Sequence, residues 1–182
     1  EKIGLIDDDL TRWGYWFIRM KTDPENAARN CRALKTSVRF VNDILRLIRF
    51  HESLGKVPDD PELRRTAWIE ATLRHGEDAA RRWLTLAGAA VDGRDNGWMN
   101  PFAASGGRWL DEMGAKDRNE LRVTGNDLLE MSGRKTGPWL KHVLERLLTE
   151  TALGRLPNER EALLRRANEI MDHEGGRSGG AV

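Results

Sequence analysis

Apolar residues along this chain recur at spacings of three and four and rarely alternate, so the readable segments are helical and the expected fold is all-α. Over residues 9–20, Leu10, Trp13, Trp16, Phe17 and Met20 fall on one side, behind an Asp7-Asp8-Asp9 run that supplies an N-cap and a favourable charge for the helix dipole. Asp23-Pro24 opens a second helix, to Ala33 or Leu34, with proline at the first helical position. From Thr36 or Ser37 to about Glu52, Val38, Val41, Leu45 and Ile48 form one apolar row that Phe40, Ile44 and Leu47 widen. That pattern predicts the core helix of the first half. After a turn-rich break at 55–61, residues 62–75 and 77–90 read as a helical hairpin joined at Gly76.

Residues 92–107, DGRDNGWMNPFAASGG, lack periodicity and are rich in glycine and asparagine, which predicts an irregular connecting loop. Trp98, Met99 and Phe102 would tie it down by packing. The loop would separate a body-like helical unit, 1–91, from a smaller helical tail unit, 108–173, with 174–182 (EGGRSGGAV) disordered. The tail unit carries the sharpest local signals. Thr124 and Asp127 form a capping box, Gly133 ends that short helix, and Arg134-Lys135-Thr136-Gly137 makes a turn. Pro138 then starts a helix with Trp139, Leu140, Val143, Leu144, Leu147 and Leu148 as its apolar stripe and Lys141, His142 and Arg146 on another face. Gly154 stops it, and 157–161 reads as a second capping box for a last helix to about Met171.

Composition narrows the function classes. The 182 residues are 39% hydrophobic and 32% charged, with a mean hydropathy of −0.62, as in a soluble globular chain. No apolar run approaches the roughly 20 residues of a membrane span, so no membrane partner is expected. The single cysteine, Cys31, cannot form an internal disulfide and reads as a buried thiol in a reducing, cytoplasmic compartment. The first residue is Glu1 and no secretory signal follows it, which suits a piece of a longer chain.

A net charge of +1 hides an uneven distribution. Residues 19–56 hold nine Lys or Arg (Arg19, Lys21, Arg29, Arg32, Lys35, Arg39, Arg46, Arg49 and Lys56) against four acids, a local +5, whereas 57–115 hold seven against ten, or −3. Such an offset gives a polyanion a local footprint without general stickiness, and a solvated helix face accounts for the same pattern. Arg39, Arg46 and Arg49 are the candidate phosphate contacts of this stretch, with Asp43 an alternative partner for two of them.

No catalytic constellation is legible. The four histidines lie in different elements, and neither a P-loop nor a nucleophile elbow occurs, so no catalytic and no metal-binding residue is assigned. The turn at 133–137 is the exception in chemistry. Gly133 and Gly137 let backbone approach an anion, Pro138 presets a helix whose first N–H groups favour negative charge, and Arg134, Lys135, Lys141 and Arg146 surround it. With Thr136, these are the candidate nucleic-acid-binding residues of the tail. Such a site would read backbone and shape rather than bases. The same glycines would equally serve a structural hairpin turn alone.

The string from Lys116 to Leu129, with Thr124-Gly125-Asn126-Asp127-Leu128 inside it, then Gly137-Pro138-Trp139-Leu140 and Gly154-Arg155-Leu156-Pro157-Asn158, resembles the C-terminal body and tail of bacterial class II tRNA nucleotidyltransferases, the CCA-adding enzymes. The resemblance is tight over about a third of the chain and looser upstream. It implies an all-α, tRNA-holding region in which the tail candidates are RNA-binding residues, with tRNA and an N-terminal catalytic head and neck as partners. It also implies that Mg²⁺ and CTP or ATP belong to that head, with no cofactor here. Nothing in this chain resembles the head's paired-aspartate strand motif or the neck's nucleotide-selecting motifs, so Asp7-Asp8-Asp9 is not assigned a catalytic role. The competing class is an all-α protein-interaction or helical-hairpin DNA-binding module.

Overall fold

The structure, a computed structural model, describes residues 8–55, 57–90 and 97–178. Among these there are nine α-helices and no strand: α1 (Asp9–Arg19), α2 (Pro24–Ala33), α3 (Val38–Leu54), α4 (Pro61–His75), α5 (Glu77–Ala90), α6 (Asn100–Glu112), α7 (Gly125–Ser132), α8 (Pro138–Ala152) and α9 (Arg160–Ser178). The chain divides into two compact units, Glu1–Asp111 and Glu112–Val182.

Short polar side chains start the helices of the first unit. Asp8, Asp23, Ser37 and Asp60 accept from the backbone N–H of Leu10, Asn26, Phe40 and Leu63, and proline follows the cap in α2 and α4. Asp7 lies outside the described residues. Helix α3 is central, packed against α1, α2, α4 and α5. Its buried row is Val41, Ile44, Leu47, Ile48, Phe50 and Leu54; Val38, expected in that row, is exposed at the helix start. Helix α1 departs further from expectation. Leu10, Thr11, Gly14 and Phe17 face inward, while Trp13, Trp16 and Met20 stay exposed. The inward face is set by Gly14, where a Cβ would collide with Leu47, so the two helices meet nearly backbone to side chain.

Rings fill the heart of this unit. Phe50 meets Trp68 edge to face at 5.1 Å, Trp68 meets Trp83 at 5.5 Å, and Phe102 lies within 6.3 Å of both tryptophans. Such pairs add about 0.5–1.5 kcal/mol each beyond the area they bury. Trp83 donates its indole N–H to His51 Nδ1 at 3.2 Å, and burial pushes the His51 imidazole down to about 4. Cys31 is almost wholly buried on the inner side of α2, and burial pushes its thiol up.

The expected irregular loop at 92–107 is corrected over 97–107. A short 3-10 turn at Gly97–Met99 leads straight into α6; residues 92–96 lie outside the described residues. Phe102, Gly106, Trp109 and Leu110 form the buried face of α6 at helical spacing. Gly106 belongs to that face: a Cβ there would stand 2.7 Å from Trp68 Cζ2 and 3.0 Å from Leu84 Cδ2. The glycine that suggested a linker is thus a close-approach site. The boundary between units accordingly falls after Asp111 rather than near residue 107.

In the second unit, α7, α8 and α9 enclose Leu128, Val143, Leu147, Leu163, Ala167 and Ile170. The capping box of α7 is complete: Asp127 N–H donates to Thr124 Oγ1 at 3.3 Å and Thr124 N–H to Asp127 Oδ2 at 2.6 Å. The second expected box is replaced by a different device. Asn158 donates to the carbonyls of Gly114 (3.2 Å) and Glu120 (2.8 Å) and accepts from Arg122 N–H (3.0 Å), pinning the segment ahead of α7. Helix α9 continues to Ser178, past the expected end and into the stretch expected to be disordered; 179–182 lie outside the described residues.

Candidate nucleic-acid interface

In the second unit, Gly133 closes α7 in the left-handed region at φ 61°, its N–H bonded to Leu129 O, and Arg134 N–H turns back to Ser132 Oγ. Gly137 caps α8 in extended backbone, φ −169°, with no side chain to bond the first-turn N–H groups. Of the two glycines expected to let backbone approach an anion, only Gly133 thus adopts a backbone that favours glycine, whereas Gly137 is ordinary extended chain. Pro138 occupies the first turn.

Trp139 organises the turn between these two glycines. Its indole N–H donates to Lys135 O at 2.9 Å, and the Arg134 guanidinium sits 5.9 Å from its ring centre. Arg134, Lys135 and Thr136 are exposed on the outside of this braced loop. Sequence reasoning places Trp139 in the apolar stripe and misses this bracing role, for which an aromatic two residues beyond a glycine at a Gly-Pro junction is the only local signal.

The structure brings Gly133, Arg134, Lys135, Thr136 and Gly137 together and separates Arg146 from them. Arg146 stands eight residues into α8, about 12 Å along its axis, and bonds Glu150 Oε1 at 3.3 Å. Glu150 also receives both Nε and Nη2 of Arg166 at 2.7 Å, which holds its carboxyl below the usual range. Lys141 is closer to the turn but pairs with Glu145 at 3.7 Å. Among the described residues neither Arg134 nor Lys135 has a carboxylate partner.

The candidates of the first unit also separate. Arg39 and Arg46 share Asp43, at 3.9 and 3.3 Å, beside a depression that also takes in His75, Glu77, Asp78 and Arg82. A single carboxylate thus serves both guanidinium groups. Arg49 instead opens onto a groove of about 440 Å³ between α2 and α3, with Arg29 and Arg32 on its other wall and Glu25 at its edge. None of the three arginines around this groove has a carboxylate partner among the described residues. In the sequence, Arg29 and Arg32 are legible only as part of the basic stretch; their spacing of three on α2, facing an apolar Ala28 and Leu45 floor, is the signal that singles them out.

No three His, Cys, Asp or Glu side chains converge as metal ligands among the described residues. No helix of the described residues is long and apolar enough to cross a membrane.

Comparison with known proteins agrees with this architecture. The family model for tRNA nucleotidyltransferase domain 2 matches residues 6–167. A CCA-adding enzyme of Geobacillus sp. (strain WCH70) is 24% identical over 159 residues, which span 87% of this chain and 36% of that enzyme. A CCA-adding enzyme of Bacillus cytotoxicus is 39% identical over 56 residues, 31% of this chain and 14% of the enzyme. The fold is similar to the crystal structure of the Bacillus stearothermophilus CCA-adding enzyme in complex with CTP, with a TM-score of 0.70 and 22% identity over 94% of this chain and 40% of that one. The chain thus corresponds to well under half the length of these relatives. With 162 consecutive residues under the family model, the chain belongs to the tRNA nucleotidyltransferase domain 2 family.

Proposed function

We propose that this chain is the tRNA-holding region of a CCA-adding enzyme, gripping the acceptor arm and elbow through phosphates while an N-terminal head and neck add nucleotides. The observation that carries the reading is the sorting of the exposed cations. Arg134 and Lys135 on the braced turn, and Arg29, Arg32 and Arg49 around the α2–α3 groove, lack carboxylate partners among the described residues, whereas Arg39, Arg46, Lys141 and Arg146 have them. Cations of the first kind are the ones that release counterions from a polyanion. Mg²⁺ and CTP or ATP belong to the head in this reading, and a reducing cytoplasmic setting suits the lone buried thiol of Cys31.

Titration with tRNA and with duplex DNA of similar length, across a range of salt, tests it. Tight, steeply salt-dependent binding is expected for tRNA and weak binding for the duplex. Arg134→Gln with Lys135→Gln, and separately the Gln triple at Arg29, Arg32 and Arg49, are each expected to flatten the salt slope by roughly 0.7–0.9 for every phosphate that is no longer neutralised. Gln at Arg39 and Arg46 is expected to change it little. Absence of tRNA binding at low salt would leave the interaction-module reading.

A further inference from the structure

The turns at the two ends of α2 are built alike. The chain reads Met20-Lys21-Thr22-Asp23 where α1 gives way to α2, and Leu34-Lys35-Thr36-Ser37, fourteen residues on, where α2 gives way to α3. In each, the lysine N–H donates to the carbonyl three residues back, Ile18 at 3.0 Å and Arg32 at 2.9 Å. The threonine N–H donates to the carbonyl five residues back, Phe17 at 2.9 Å and Cys31 at 3.3 Å. That pair of bonds is the Schellman motif, which puts the residue after the C-cap in the left-handed conformation. Lys21 accordingly has φ 50° and Lys35 φ 56°. Asp23 and Ser37 then cap the helix that follows.

Glycine takes this conformation without steric penalty and lysine does not. Among the described residues the other positive-φ positions, Gly76, Gly133 and Gly154, are all glycine. The chain thus accepts a conformational cost at both ends of α2, and such costs concentrate where a side chain has a function. Folding makes no evident use of these two side chains. Both are exposed, and neither has a carboxylate partner among the described residues. The dipole of each preceding helix already has a cation in its last turn, Arg19 on α1 and Arg32 on α2, so a lysine one step further on is not needed for it.

From this duplicated corner we propose that Lys21 and Lys35 are phosphate-binding residues that grip the backbone of an RNA duplex at the two ends of α2. The helix between them has ten residues and is about 15 Å long. A small anion at one corner gains nothing from the other, whereas a duplex, with on the order of one phosphate per 1.7 Å of axis over both strands, meets both at once. Arg29 and Arg32 lie on the same helix and Arg49 across its groove, also without carboxylate partners among the described residues, so the corners bracket cations already assigned to the tRNA backbone.

The inference rests on the reading of this chain as a tRNA-holding region, and the experiment separates the two. Lys21→Gly with Lys35→Gly sets fold against binding. Relief of the left-handed strain is expected to leave the melting temperature of the 182-residue chain unchanged or to raise it by a few degrees. Loss of two phosphate contacts is expected to weaken tRNA binding roughly tenfold at physiological salt and to flatten the salt slope by roughly 1.4–1.8. Lys21→Arg with Lys35→Arg keeps both charges and is expected to bind as the parent does. Lys21→Gln with Lys35→Gln keeps the strain without the charge and is expected to lose as much affinity as the glycine pair. Unchanged affinity and slope in the glycine pair, with the parent binding tRNA, would overturn the inference and leave the tRNA reading standing. A lower melting temperature in the glycine pair would overturn it too, since the lysines would then serve the fold. Failure of the parent itself to bind tRNA at low salt removes the reading and this inference together.

Discussion

At Gly133 and Gly137 the same residue type does two different things. Gly133 needs its left-handed φ of 61°, and Gly133→Ala is expected to cost about 1 kcal/mol. Gly137 is extended, and the nearest atom to the Cβ of an alanine would be Trp139 Cδ1 at 3.2 Å. The small adjustment is offset by the lower entropy of the unfolded chain, so Gly137→Ala is expected to lie within about 0.5 kcal/mol of the parent. Chemical denaturation of the two variants side by side checks the contrast. His51 offers a second residue-level outcome. It is neutral in the folded protein down to about pH 4 but takes a proton near 6.5 once unfolded. Its contribution is therefore complete above pH 6.5 and is lost as the pH falls from 6.5 to 4, by up to about 3 kcal/mol. His51→Gln keeps an acceptor for Trp83 and cannot titrate, so its stability should fall less over that window. The carboxylate of Asp127 sits lower, near 2, held there first by Arg160 at 2.7 Å and then by Thr124, and acts only below that window.

Among the elements, α6 shows what sequence periodicity conveys and what it conceals. Phe102, Trp109 and Leu110 stand at helical spacing, yet the row is completed by Gly106, which no apolar count includes. Its role depends on the Trp68 ring 38 residues away, a contact that local pattern cannot carry. Gly106→Ala is expected to destabilise by about 2 kcal/mol, because a buried indole has nowhere to move, and a thermal melt followed by tryptophan fluorescence measures it. The opposite holds for α7: the two halves of its capping box are three residues apart in the chain, so it is fully legible there. Asn158 reads as part of a cap for the same local reasons, but its three partners lie 36 to 44 residues upstream and claim it instead. The basic turn is likewise legible as a turn, whereas the pairing that sorts Lys141 and Arg146 from Arg134 and Lys135 depends on which carboxylates the fold brings near. The split of Arg49 from Arg39 and Arg46 follows from helical geometry once the neighbours α2 and α5 are known.

For the whole chain, the lack of the head's paired-aspartate motif in its sequence leads to a plain expectation: the purified 182-residue protein adds neither CMP nor AMP to a tRNA lacking its 3′ end, with Mg²⁺ and nucleotide supplied. Incorporation of radiolabelled nucleotide, compared with a complete CCA-adding enzyme, checks it. The packing of α2 on α3 can be followed in its own right, because the molecule carries the means to measure it. Cys31 is the one thiol, it is about 1% exposed, and it lies on the helix that also bears Arg29 and Arg32. A thiol reagent can reach it only when α2 leaves α3, so the labelling rate is a clock for that opening. Bound tRNA that bridges Arg29, Arg32 and Arg49 would clamp α2 to α3 and slow the clock in proportion to occupancy. Mass spectrometry of the single adduct would then give affinity without any label on the RNA.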